Sequence, residues 1–258
     1  MKEWVGIGAL ALLVGCSSAD EIGHEVGVAD TNAEAAAIDQ KEPRKIEVKS
    51  DVMTFEYSWP GEVAGVSALN GLFEMRAAEA QDAFRTMAAE AKLDAEKFDY
   101  PYRAYASSWN RQVDGETPRF LSLVGESYSY TGGAHGNTTY AATLGDIEAE
   151  KEIGALDLFT SAKDLDAAIR PDYCELLKSQ RAERLGDVEV LGDCPPLGDF
   201  VLSPLSSDGE SIDGLQLLAA PSVAGAYAEG SYTVALDIDA DALATVAPEY
   251  RDAFAGSD

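Results

Sequence analysis

The sequence predicts an α+β fold in which antiparallel sheet packs against a long amphipathic helix and a second, shorter helical segment. Three observations carry this. In "SDVMTFEYSWP" Met53, Phe55, Tyr57 and Trp59 alternate with more polar neighbours, the period of a half-buried strand. From Ser67 to about Phe98 the apolar residues change to a helical period. Beyond residue 199 the chain becomes short apolar runs broken by Gly, Pro and Asp, which reads as strands and turns.

The elements follow in chain order. Residues 1–15 carry Lys2, a short apolar run from Trp4 to Val14, and small residues. The run is shorter than the roughly 20 apolar residues of a membrane span and has the layout of an export signal. Residues 16–45 are rich in Ala, Asp and Glu and contain no aromatic, so they read as a flexible tether, with His24 solvated within it. Folded sequence begins near Ile46, and the strand containing Trp59 stops at Pro60.

In the long helix Leu69, Leu72, Phe73, Ala80, Phe84, Met87 and Ala91 are expected on one face as core. Strands are predicted over Tyr102 to Gln112 and Arg119 to Tyr130. In the second of these, Phe120, Ser122, Val124, Glu126, Tyr128 and Tyr130 share a face opposite Leu121 and Leu123. "TGGAHGNTTYAATLGDI" then reads as a hairpin turn and return strand, with Gly132, Gly133 and Gly136 expected to supply positive φ. Tyr128, Tyr130 and Tyr140 are expected as cross-strand packing, with a sugar-stacking role open to them if they face solvent.

In the second half, Ser161 with Asp164 three residues later predicts a helix start. Pro171 should kink or restart that helix, and Tyr173, Leu176 and Leu177 continue its apolar side. Strands are expected at "FVLSPL", "GLQLLAAPSV" and "SYTVALDI", and a short helix at Ala240 to Ala247. The chain thus divides into modules at 46–150 and 151–258, with no internal repeat.

The chemistry is sparse. His135 is the single histidine of the folded part, and no G-x-S-x-G elbow accompanies it. Zinc would need several His or Cys ligands. Asp237, Asp239 and Asp241 lack the central Gly and terminal Glu of an EF-hand loop and read instead as acids at a helix start. No metal, cofactor or catalytic residue is therefore expected, although a chain this acidic always offers carboxylate pairs for a hydrolase. The formal charge of −27 argues against nucleic acid and favours solubility or a basic partner.

Two resemblances add to this. "LVGCSS" resembles the lipobox of bacterial lipoproteins, which implies cleavage before Cys16, its acylation, and, with Ser17 following, an outer-membrane protein facing the periplasm. In that oxidising compartment the two other cysteines, Cys174 and Cys194, form an even pair expected as a structural disulfide, worth about 3 kcal/mol. "YSYTGGAHGNTTYAATLGDI", with "ALDLF" and "AGAYAEGSYTVAL", resembles a bacterial envelope family. Its N-terminal module resembles the one beside the catalytic domain of PdaC-type peptidoglycan deacetylases. Its C-terminal module resembles the extracellular part of RsiV, a lysozyme-sensing anti-sigma factor. The resemblance implies a non-enzymatic extracytoplasmic module, here on a lipid anchor, that binds cell-wall glycan or a basic lysozyme-like protein. The candidate contacts are His135, Tyr130, Tyr140 and Tyr227. A carboxylate-dependent cell-wall hydrolase and a purely structural lipoprotein are the alternatives.

Overall fold

The computed structural model describes residues 42–186 and 193–256. The expected signal peptide, the acylated Cys16, His24 and most of the tether lie outside the described residues.

The protein is α+β, built from a six-stranded sheet in the order β1-β2-β3-β4-β5-β6 and a three-stranded sheet β7-β8-β9. Strand β1 (Arg44–Lys49) pairs antiparallel with β2 (Met53–Trp59). The tether therefore ends earlier than expected: Arg44 already pairs across from Trp59 and donates to Glu74 on the helix at 3.0 Å. In β2 every second side chain, Met53, Phe55, Tyr57 and Trp59, is buried. Each contributes about 1.5–3 kcal/mol by leaving water.

Helix α1 (Ser67–Lys97) covers that face. It also carries the chain back to the far side of β2, so β3 (Tyr105–Glu116) pairs parallel to β2, the one parallel pair of a sheet expected to be antiparallel. A parallel neighbour requires a crossover of this kind. The buried stripe of α1 is Leu69, Phe73, Ala77, Phe84, Ala88 and Ala95. Met87, expected in the core, is exposed, because the true stripe steps by four and seven residues and passes through Ala88. Arg76 clamps the far edge through a two-pronged bond to Glu152, at 3.1 and 2.8 Å.

Strands β4 (Phe120–Tyr130) and β5 (Asn137–Asp146) form the expected hairpin, and the short β6 (Lys151–Ile153) completes the sheet. Alternation along β4 divides the two cores. Leu121 and Leu123 face α1, while Phe120, with Leu144 of β5, joins the second core.

That second core lies under helix α2 (Ala162–Leu185) and strands β7 (Val201–Leu205), β8 (Gly214–Ala219) and β9 (Tyr232–Asp237). Ser161 caps α2 by accepting the Asp164 N–H at 3.0 Å. One continuous helix runs through Pro171 rather than restarting there. Cys174 on α2 is bonded to Cys194, with Cα atoms 5.7 Å apart. Asp166 reinforces the same corner, accepting from the Tyr173 hydroxyl at 2.8 Å and the Leu197 N–H at 3.2 Å. Asp239 caps the short helix α3 (Ala240–Ala244) through the Ala242 N–H, so the alternating acids do open a helix, though one shorter than expected.

The two sheets meet where β3 carries a bulge. The register slips between Val113 and Gly115, leaving Asp114 as the extra residue. A Cβ on Gly115 would stand 2.8 Å from the Ser206 backbone nitrogen, so only glycine admits this approach of the end of β7. Beside it Ser122 and Ser203 share a buried hydrogen bond at 3.0 Å, and Gln216 donates to Asp114 at 2.7 Å.

Candidate functional site

The hairpin turn that holds His135 and the loop that holds Tyr227 are far apart in sequence and meet on one exposed surface. The rings of His135 and Tyr227 lie 4.5 Å apart at 33°. The Tyr227 hydroxyl donates to the Gly136 carbonyl at 2.6 Å, and His135 Nδ1 lies 2.9 Å from the same oxygen. Tyr128 closes the group: a Cβ on Gly136 would fall 2.2 Å from its ring, so the tyrosine lies directly over that glycine. Tyr128 and Tyr227 are each 40 % exposed, so these aromatics form a surface and not a core.

Glycine chemistry in the turn differs from expectation. Among the three glycines only Gly132 has positive φ, at 85°. Gly136 leaves the space that the end of the Tyr128 ring fills.

The sheet places the other tyrosines on the same face by alternation. Tyr128 stands opposite Thr138, Glu126 opposite Tyr140, and Ala106 opposite Tyr130. Tyr130 and Tyr140 are half-buried. The Tyr130 hydroxyl receives a long 3.5 Å contact from Arg103, which also reaches the Gly133 carbonyl at 3.4 Å. The structure thus joins His135 and Tyr227 directly, sets Tyr130 at the base of the turn, and leaves Tyr140 two residues along β5 from Thr138.

Tyr227 is held by a network that its loop carries with it. Glu229 accepts from Arg181 through Nε at 3.0 Å and Nη2 at 3.2 Å, from the Ala226 N–H at 2.7 Å and from the Tyr232 hydroxyl at 2.8 Å. Arg181 above all, then the Ala226 N–H and Tyr232, hold the Glu229 carboxyl down to about 2. Arg184 donates to the carbonyls of Glu229 and Ser231 and stacks 4.0 Å above the Tyr232 ring. The loop is therefore rigid where it presents Tyr227.

Residues 46–138 match the family model described as "Deacetylase PdaC". No curated protein matches the chain. Solved structures are also similar to the chain, two of them from the DUF3298 family. A DUF3298 family member from Bacteroides fragilis NCTC 9343 is 16% identical, with 84% of this chain and 98% of that one covered and a TM-score of 0.47. A DUF3298 family protein from Pseudomonas aeruginosa PAO1 is 15% identical, with 83% and 96% covered and a TM-score of 0.49.

A second surface has the opposite chemistry. A cleft of about 1040 Å³ runs between α2, the end of β7 and β9, lined by Asp114, Asp172, Glu175, Asp213, Asp237 and Asp239 over an apolar floor that includes Leu205 and Leu236. Burial pushes the Asp114 carboxyl above its ordinary value, against the pull of its bonds to Ser203 and Gln216. No group of three or more His, Cys, Asp or Glu side chains suited to a metal ion forms among the described residues. No helix among them is long and apolar enough to cross a membrane.

Sequence periodicity marks neither Asp114 nor the Arg181–Glu229 pair. The Asp114–Gly115 dipeptide is a turn signal inside a strand, the one local hint of the bulge. Arg181 and Glu229 lie 48 residues apart on different elements, and nothing local links them.

Proposed function

We propose that this protein is a non-enzymatic, extracytoplasmic binding protein, anchored through an acylated Cys16 in the outer membrane, and that its hairpin–loop junction engages cell-wall glycan. One observation carries the reading: His135, Tyr128 and Tyr227 converge on a single exposed patch around the Gly136 carbonyl, held by a rigid loop. Exposed aromatic faces beside hydroxyl and imidazole hydrogen-bonding groups suit the alternating apolar and hydroxylated faces of a pyranose. The resemblance to PdaC-type and RsiV-like modules supports an envelope ligand. It also supplies the other candidate, a basic lysozyme-like protein, to which a charge of −27 would be complementary.

Pull-down of the soluble domain on insoluble peptidoglycan and on lysozyme tests this. Retention on peptidoglycan, reduced at least fivefold by the Tyr227→Ala and His135→Ala variants, is the expected result. Retention on lysozyme alone, lost at high salt, would move the ligand to the basic protein. Binding to neither, at low and at physiological salt, overturns the reading.

A carboxylate-dependent cell-wall hydrolase is a second reading, favoured by Asp114. It is a carboxyl of raised pKa, carried on a bulge, in a cleft with other carboxylates. Release of soluble saccharides from labelled peptidoglycan, abolished by Asp114→Asn, would establish it.

A further inference from the structure

Behind the hairpin turn, on the α1 side of the large sheet, lies a separate cavity of about 420 Å³. Its walls include Tyr100, Tyr102 and Tyr105, its rim Arg103, and its far edge Gly132 of the turn. The volume is in the range of small-molecule sites, about 300–1,000 Å³. We propose that this cavity is a binding site for an acidic saccharide, one pyranose packed on the tyrosines with its carboxylate on Arg103.

The aromatic walls are fixed before any ligand arrives. The Tyr102 hydroxyl donates to the Val52 carbonyl at 2.8 Å and lies 3.2 Å from the Ala88 carbonyl, which pins the end of its ring. Tyr105 stacks on Tyr102 with centroids 5.7 Å apart and packs on Phe84 of α1 at 6.3 Å. Tyr100 is 51 % exposed, an aromatic left in water beside a concave surface. Rigid tyrosine faces offer contact area at little cost in conformational entropy.

Arg103 supplies the charge selection. It makes no ion pair among the described residues, in a chain with 46 acidic and 19 basic side chains. Its hydrogen bonds among them are the two long contacts from Nη1 to Tyr130 and Gly133. The guanidinium has five N–H donors, so a fork remains for a carboxylate, which it would hold by two charge-assisted bonds. Lys92, nearby on α1, is already neutralised by Asp51 at 2.6 Å. The chain's overall negative field acts at long range and is screened within about 8 Å at physiological salt, so the local fork decides which sugar is held.

Chemical-shift titration of the ¹⁵N-labelled chain with methyl glucuronide, methyl glucoside and acetate tests the proposal. The glucuronide should shift amides at 100–105 and 131–133 and bind at least tenfold more tightly than the glucoside, while acetate alone should not saturate. Arg103→Gln should abolish the tenfold preference, and Tyr100→Ala should weaken both sugars. Both side chains are exposed, so each variant keeps the fold. Any shifts at 135–137 or 226–229 should saturate independently and be indifferent to Arg103→Gln, which separates this site from the junction. Equal affinity for the two sugars, glucuronide binding indifferent to Arg103→Gln, shifts centred elsewhere, or no saturable binding would each overturn the proposal.

Discussion

The hairpin–loop junction and the acidic cleft lie on one compact domain but are held by opposite means. At the junction, charges are spent behind the surface: Arg181 and Glu229 form a buried pair whose only outward product is the placement of Tyr227. The surface itself is aromatic, with the His135 ring against that of Tyr227. In the cleft the carboxylates form the lining, and among the described residues no Lys or Arg joins them. A satisfied buried pair gives conformational definition, and a lining of acids without a Lys or Arg favours a cationic ligand. The junction is therefore built for shape and the cleft for charge.

Breaking the buried pair should have the largest effect. Glu229→Ala removes the carboxylate on which Arg181, Tyr232 and the Ala226 N–H converge. A loss of about 3–5 kcal/mol in urea unfolding is expected, as for other buried pairs stripped of one partner. The pH dependence has a definite sign. A carboxyl held at about 2 in the folded state gives stability that is complete above its unfolded value and lost as pH falls from about 4.5 towards 2. Glu229→Gln should flatten the fall in stability across that window and leave the acidic cleft unaffected.

Opening the disulfide comes next. Replacing Cys174 and Cys194 by serine frees a closure with a sequence separation of 20. A cost of about 3 kcal/mol is expected on the chain-entropy account. Helix α2 lines the cleft through Asp172, Glu175 and Leu176 and holds the loop through Arg181. Equal disturbance of both surfaces, read by amide exchange, would show that α2 serves them jointly. Disturbance confined to the cleft would show that the Arg181–Glu229 network holds the junction by itself.

What the sequence makes legible follows the range of the interactions. Period-two and helical patterns arise from neighbours on one element, and they locate β2, α1, β4 and the cap at Ser161. The face of β4 could be divided into two sets, but not the core each set joins, since that depends on where β7 docks. His135 stands out by composition, and Tyr227 comes only with a family resemblance. Their contact depends on a loop fixed by Arg181, and no local pattern encodes a salt bridge across 48 residues. The turn glycines divide for a related reason: Gly132 has the positive φ expected of it, and Gly136 does not. Flexible backbone is the usual explanation of G-G-x-x-G, whereas Gly136 answers to the ring of Tyr128, which only the folded register brings there.

That reading can be sharpened at Gly136 itself. Gly136→Ala pushes a methyl into the far end of the Tyr128 ring, an exposed side chain with room to move. The cost should be about 1 kcal/mol, at the low end for overpacking. Its functional effect should exceed its effect on stability, because the displaced ring is part of the proposed glycan surface. Loss of peptidoglycan retention with less than a few degrees' change in Tm would tie Tyr128 to binding, and retained binding would reduce it to a strand-end contact.

Asp114→Asn should have the smallest effect on stability and the sharpest consequence for the comparison. Burial raises the folded-state pKa of Asp114, so the folded protein holds this proton more readily than the unfolded chain does. Stability from this group is therefore present below its unfolded value and lost as pH rises through the raised one. Ionising this group therefore works against the fold. Asparagine keeps an oxygen to accept from Gln216 and removes the charge, so the variant should gain about 0.5 kcal/mol, or roughly 1–2 °C in Tm. A side chain whose charge destabilises its own fold is the pattern of a functional carboxylate. If the stabilised variant also stops releasing saccharides from peptidoglycan, the cleft is a catalytic centre and the junction serves to hold its substrate. If the gain comes with no activity lost, Asp114 is the structural consequence of seating β7 on the bulge, and the aromatic junction carries the function.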